Sequence, residues 1–565
     1  MDIKRLGFDK RFDALVSERD KRMELWREIS EYVAPNMGMF TQEEPNSPVR
    51  RGQEILDSSV RRALQTLQAG MQGGLTSPSK AWLQLTVNDP ELAVMPSVMA
   101  WVGDVRDILL NIFAQSNIYN RLHGAYGEIG AFGTAAIYLM EDENSVINAR
   151  LLTAGEYAVS FDFAGLPNAF CRDLWMTAYD MVQAFGFDRL SQTAQGALRN
   201  NNSNQWFRIQ HYIAEDSNIL PDSKKLTRFP YFDVYWEHGQ TNALYLGGHE
   251  EFPIMVPRWD SVGSDYYGYG PGEMALPESK TLQVMRAHFL KADELSIDPP
   301  VIWPQGLLAE RANIRPGGVY HTSDPNNVAR PLYQVQPNFE GHMQAMADSR
   351  RLIEQTFFAD LFLMIANLDL QGASRDMTAT EIQVRQQEKM QMLGPVVERL
   401  EYELLNPLVG RTYMIALRKG LIPEPPPELS DIDVKIEYIS TLALAQKASS
   451  MENVNALVAL TASLVGIEEH VVDKINADEI IDQFVKLSAI PASIVRANEE
   501  VEMIRYQRQQ MMQQQQEMEQ MAQMAQAGQA GGAGIRDIAQ AAEMAGGLGG
   551  MMGGQEAAMQ GHGRL

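Results

Sequence analysis

The chain has 565 residues, enough for three or more structural units at about 100–200 residues each. Its 48 Lys and Arg face 72 Asp and Glu, a net charge of −24, which excludes a generally basic nucleic-acid-binding surface. A hydrophobic fraction of 45% excludes wholesale disorder, and the single cysteine, Cys171, excludes an intramolecular disulfide framework and fits a reducing compartment.

Phe12 to Val33 reads as one helix, with Phe12, Leu15, Val16, Trp26, Ile29, Tyr32 and Val33 at helical spacing and Pro35 as its stop. A second helix spans Ser58 to Met71 and ends at Gly73-Gly74. The segment LTSPSKAWLQLTV then alternates as an extended strand. Helices follow over Pro96 to Ser116 and Asn120 to Ile129. From Thr134 to Ile254 the pattern is β-rich: AAIYLM, EYAVSFD, RDLWMT, FRIQHYI, YFDVYWEH and EEFPIMVP are short strands between turn signals, with a helical insert from Asp180 to Arg199. The fold class is therefore α+β, mainly helical overall.

PRWDSVGSDYYGYGPGEMALPES is a stiff, packed connector. A helix over Glu278 to Ile297 follows, with Leu282, Met285, Phe289 and Ala292 as its apolar stripe. Asp298 to Pro337 holds short strands, and a helix spans Gly341 to Leu363. The polar run MIANLDLQGASRDM interrupts the pattern. Thr378-Ala-Thr-Glu381 is a capping box that opens a long helix to about Lys419, kinked at Gly394-Pro395. Roughly forty residues of helix span about 60 Å, a length suited to assembly or to crossing a whole domain. A strand is expected over Val434 to Ile439, then broken helix from Thr441 to Arg505, then a Gln/Met- and Gly-rich tail.

No phosphate-binding loop, zinc-protease motif or nucleophile elbow is present, and the nine histidines lack metal-ligand spacing, so no catalytic residue, metal or cofactor is expected. The GYGPG run reads as a tight packed turn, Cys171 as a small buried apolar residue, and Glu141-Asp142-Glu143 as a solvated turn. Lys280, Arg286, Lys291, Arg350 and Arg351 flank the Asp298–Pro337 stretch. Their simplest role is pairing with Asp293, Glu294, Asp348 and Glu354; the functional alternative is weak contact with phosphates.

The order and wording of several segments resemble the portal, or head-to-tail connector, proteins of short-tailed bacteriophages. These segments are GLTSPSKAWLQLTVNDPEL, SNIYNRL with AFGTAAIYLMED, YGYGPGEMAL, DLFLM, MTATEIQVRQQEKMQMLGPVVERLEYELLNPLVGR and YISTLALAQK. The resemblance implies a portal fold: a wing at 1–277, stem helices at 278–297 and 338–365, a clip at 298–337, a tunnel loop at 366–377, a long kinked helix at 378–422 and a crown at 423–505; the Gln/Met/Gly-rich tail at 506–565 has no counterpart in it and by composition is partly helical, then disordered from about Gly528.

It also implies a homo-oligomeric ring, typically of twelve subunits, at one capsid vertex. Double-stranded DNA passes through it without sequence specificity. Partners are the terminase large subunit, tail-adaptor proteins, and capsid and scaffolding proteins. The protein would be made in the bacterial host cytoplasm and reside in the virion, with no membrane span and no enzymatic activity. The tunnel loop would contribute Asn367, Asp369, Gln371, Gly372, Arg375 and Asp376; the DNA-facing stem Lys280, Lys291, Arg350 and Arg351; and the docking clip Val301, Trp303, Val319 and Tyr320. The competing readings are a cytoplasmic enzyme with a β-rich substrate domain and a scaffold or tape-measure protein.

Overall fold

A computed structural model describes residues 3, 7–40, 52–87, 89, 92, 95–215, 227–297, 301–302, 330–331, 339–363, 392–429, 434–438, 501 and 503–513. The chain divides into two compact units, Met1–Ile475 and Asn476–Leu565. In the second, the described residues 503–513 are helical.

The first unit opens with α1 (Phe8–Asp20) and α2 (Met23–Tyr32) in place of one helix. The break falls in the run Arg19-Asp20-Lys21-Arg22, which carries no apolar position to bury. It lets the two helices serve different cores. Phe8 and Phe12 of α1 pack on the sheet residues Tyr212, Phe232 and Trp236. Trp26 and Ile29 of α2 enter the main core instead.

Next come α3 (Ser59–Leu75), which runs through the Gly73-Gly74 pair, β1 (Leu83–Val87), α4 (Pro96–Gln115) and α5 (Ile118–Phe132). Only the last five residues of the expected extended segment before Asn88 form strand. β2 (Ala136–Asp142) and β3 (Val146–Leu152) make a hairpin; β4 (Tyr157–Phe161) and β5 (Pro167–Thr177) follow. The expected helical insert is two short helices, α6 (Ala178–Phe185), opened by a Thr177–Asp180 capping box, and α7 (Gln192–Arg199). β6 (Trp206–Glu215), β7 (Tyr231–Glu237), β8 (Ala243–His249) and β9 (Ile254–Met255) complete the β-rich part. β4-β5-β6-β7-β8 form an antiparallel meander, and β3-β2-β9 a second sheet.

Helix α8 (Pro271–Ile297) starts seven residues earlier than the periodicity indicates, with proline at its first position and Pro277 in its interior. Its start is dictated by backbone contact. A side chain at Gly268 would meet the Gly133 carbonyl at 2.4 Å, one at Gly270 the Ile129 carbonyl at 2.7 Å, and one at Gly272 the Ala131 carbonyl at 2.2 Å. The GYGPG run is thus not the tight turn expected but an extended stretch, bridged at Tyr269 to Asp260, that leads into the helix, and its glycines let two stretches of main chain touch. Beside it, Arg258 binds Glu403 through its backbone amide at 2.8 Å, Nε at 3.1 Å and Nη2 at 2.6 Å, both side chains being buried.

β10 (Val301–Ile302) pairs antiparallel with β11 (Arg330–Pro331), and α9 (Phe339–Thr356) packs back along α8 with Phe289 edge-on to Phe339. At Phe358 φ reaches 53°, which ends that helix; Phe362, just beyond, lies against Gly70 of α3. A helix over 392–400 passes through a π turn, Glu401–Leu405, into α10 (Asn406–Arg418). The kink expected at Gly394-Pro395 has its counterpart here. Pro407 has no amide proton for the Glu403 carbonyl, so the register loosens by one residue just before it, and Asn406 N–H reaches Glu401. β12 (Val434–Tyr438), in the segment assigned to the crown, pairs with β1 along all five residues.

Between the two sheets lies a buried polar network. Arg172 Nε donates to His211 Nδ1 at 3.1 Å, so His211 carries its proton on Nε2 and donates it to Asp233 at 2.8 Å; His249 holds the other Asp233 oxygen at 3.1 Å. Burial, above the pull of Asp233, depresses the His211 pKa to about 4.

Two outcomes follow for stability. Gly272→Ala should cost at least about 1–3 kcal/mol, because the new methyl strikes backbone that cannot yield, whereas Gly410→Ala, with nothing within 4 Å of the added carbon in mid-helix, should gain about 0.5–1 kcal/mol; urea midpoints of both variants check this. His211 is neutral when folded but binds a proton near pH 6.5 when unfolded. Its contribution, on the order of 3 kcal/mol, is therefore complete above about pH 6.5 and lost as pH falls toward 4. His211→Gln should flatten the pH dependence of the unfolding midpoint across that window.

Candidate functional site

The residues singled out from sequence cluster around the α8–α9 pair. Lys280 of α8 donates to Glu28 Oε2 of α2 at 2.7 Å and lies 5.4 Å from the centre of the Tyr32 ring. Arg350 of α9 grips Asp57 Oδ2 through Nε at 3.0 Å and Nη2 at 2.7 Å. The pairing partners expected on the same two helices, Asp293, Glu294, Asp348 and Glu354, are thus replaced for these two cations by acids from the N-terminal segment. Lys291 and Arg351 are exposed. Arg286 lies over the Phe289 ring.

Asp57 is the centre of this region, and the sequence reading passed over it. Its Oδ1 accepts the Ser59 amide at 2.9 Å at the head of α3, and its backbone amide and carbonyl are both held by Gln283 of α8. Burial by itself would raise its carboxyl pKa; the bonds from Ser59 and Arg350 outweigh burial and hold it below the ordinary value. The signal available was Asp-Ser-Ser ahead of an apolar periodic run, an N-terminal helix signature. One residue thereby ties three helices to one point, α3 and α9 through its carboxylate and α8 through its main chain.

Of the clip residues, Val301 lies in β10 opposite Pro331, while Trp303, Val319 and Tyr320 lie outside the described residues. The tunnel-loop residues Asn367, Asp369, Gln371, Gly372, Arg375 and Asp376 also lie outside them, as does the capping box at Thr378. Cys171 is fully buried between the sheet and α1, and burial pushes its thiol far above the ordinary range, which leaves it unreactive. Among the described residues, no three or more His, Cys, Asp or Glu side chains are placed to hold a metal ion, and no helix is long and apolar enough to cross a membrane.

Comparison with known proteins gives the family. A chain in the neck of an empty gene transfer agent particle, computed with C6 symmetry, shares 14% identity, covering 70% of this chain and 84% of that one at a TM-score of 0.37. The probable portal protein of Bordetella phage BPP-1 is 35% identical over 502 residues, 88% of this chain and 90% of the relative. The portal protein of Salmonella phage epsilon15 is 32% identical over 506 residues, with the same two coverages. The family described as bacteriophage head to tail connecting protein matches residues 6–495. With that match and those identities across nearly all of both relatives, the chain belongs to the bacteriophage head to tail connecting protein family.

Proposed function

We propose that this protein is a phage portal: a structural component of the virion at the capsid vertex, through which DNA is packaged and later ejected. The observation that carries this reading is the family match over residues 6–495 together with two portal relatives. Proteins of this family are structural, and on that ground the enzyme reading is set aside.

The finer assignment rests on the α8–α9 pair. The two helices pack on each other and anchor at Asp57, yet Val284, Leu290 and Ile297 of α8 and Met343 and Leu352 of α9 are exposed in the single chain. Apolar side chains on both helices suit burial against further copies, in a closed ring of about twelve subunits. In that arrangement α8 and α9 are the stem, residues 298–337 the clip that meets terminase and then tail adaptors, residues 366–377 the tunnel loop, and the segment beyond β12 the crown. A net charge of −24 suits a channel wall that avoids many simultaneous phosphate contacts. Each tunnel loop, with Asp369 and Asp376 against Arg375, adds to that weak adhesion.

The mass of the purified chain tests the ring: native mass spectrometry should show about twelve copies, and a monomer or dimer at micromolar concentration sinks the reading. The stem cations separate into two classes. Lys291→Glu with Arg351→Glu should leave the ring and its melting temperature unchanged while lowering the yield of packaged DNA. Arg350→Ala should instead destabilise the fold by about 1–3 kcal/mol, because Asp57 is left buried without its cationic partner.

A further inference from the structure

Arg172 is 3% exposed, and its Nη1 has no hydrogen-bond partner. A buried guanidinium nitrogen without an acceptor is costly, and native structures rarely leave one so. Its Nε is engaged by His211, and its guanidinium lies 5.6 Å from the centre of the Tyr138 ring. The nearest carboxylate, Glu156, stops short: its Oε1 is 3.8 Å from Arg172 Nη1 and also 3.8 Å from Arg150 Nη2. The other Glu156 oxygen accepts the Thr153 amide at 3.4 Å, which holds the carboxylate back in its turn.

Two guanidiniums, one from β3 and one from β5, therefore face one carboxylate oxygen without bonding it. Arg150 has half of its side chain in solvent while Arg172 Nη1 is buried, and Arg121 of α5 adds positive charge near Arg150. Glu156 faces both Arg172 and Arg150, and Asp233 lies beyond His211 on the Arg172 side. Planar guanidiniums bind tetrahedral oxyanions through paired N–H groups more readily than they bind a lone carboxylate oxygen at a distance.

We propose that Arg172 and Arg150 form a site for a phosphate-class oxyanion, which enters past Arg150 and supplies the acceptor that Arg172 Nη1 lacks. The site stands on side-chain geometry alone and lies apart from the α8–α9 region. The phosphate group belongs either to the free ion or to a DNA backbone that reaches this surface.

The test uses the full-length chain melted at pH 7 in sodium phosphate and in sodium chloride of equal ionic strength. Phosphate should raise the wild-type melting temperature by about 2–4 °C beyond chloride. Arg150→Gln, at an exposed position, should fold normally and lose that increment, while Glu156→Gln should enlarge it by removing the competing carboxylate. General salting-out by phosphate acts on all three proteins alike, so the difference between them is the readout. Fluorescence anisotropy with a short labelled duplex at low salt then separates the sources. A severalfold loss of duplex affinity in Arg150→Gln, with phosphate as competitor, assigns a phosphodiester; unchanged duplex binding beside a lost phosphate increment assigns the free ion. The same increment in wild type and Arg150→Gln, or none in either, overturns the site.

Discussion

The constraint on which the α8–α9 pair depends is the contact of main chain with main chain where Gly268, Gly270 and Gly272 cross Ile129, Ala131 and Gly133. Side chains cannot be accommodated there, so the end of α5 and the beginning of α8 are locked at backbone distance. Among the described residues, the α8–α9 pair is referred to this crossing. α9 packs along α8, Gln283 and Arg350 meet Asp57 because of it, and Arg258, next to the crossing, reaches the π turn through Glu403. The long helix is thereby referred to the same fixed point as the α8–α9 pair, although their sequences lie far apart.

The charge distribution follows from the same economy of buried pairs. Arg258 with Glu403, Arg411 with Glu251, Arg208 with Asp173 and Arg350 with Asp57 each neutralise one acid inside or at the edge of the fold. Such pairs stabilise modestly and fix geometry strongly, since removing one partner leaves a charge stranded. Because every pair cancels, the surplus of −24 is left to the remaining surface and to the acidic C-terminal part of the chain. An acidic exterior and internally committed arginines are two sides of one distribution.

Much of the fold was legible because its signals are local. Alternation in FRIQHYI and YFDVYWEH gives β6 and β7, and helical spacing gives α4 and α5 within a few residues. What escaped is set by distant residues. β1 and β12 pair although more than three hundred residues separate them, and neither strand announces its partner. The start of α8 at Pro271 depends on Gly133, which sits in another element. The π turn ahead of Pro407 also escaped, because Asn406-Pro407 is embedded in good helix formers that conceal it. For the α8–α9 region the sequence singled out Lys280 and Arg350, but a periodicity argument offers only partners three or four residues away, so it could not reach Glu28 or Asp57.

That long-range anchoring has a mechanical consequence. If α9 shifts along α8, Arg350 must either drag Asp57 with it or release a carboxylate that is 8% exposed and also caps α3. Dragging it moves the head of α3, and α3 packs on α5, whose far end is pinned at the glycine crossing. Release leaves a buried charge without its cation. Both routes cost free energy, so the α8–α9 pair and the body beneath it respond as one lever. Lys280 and Arg350 fix the α8–α9 pair to the body through Glu28 and Asp57, whereas the exposed cations Lys291 and Arg351 lie on the same two helices.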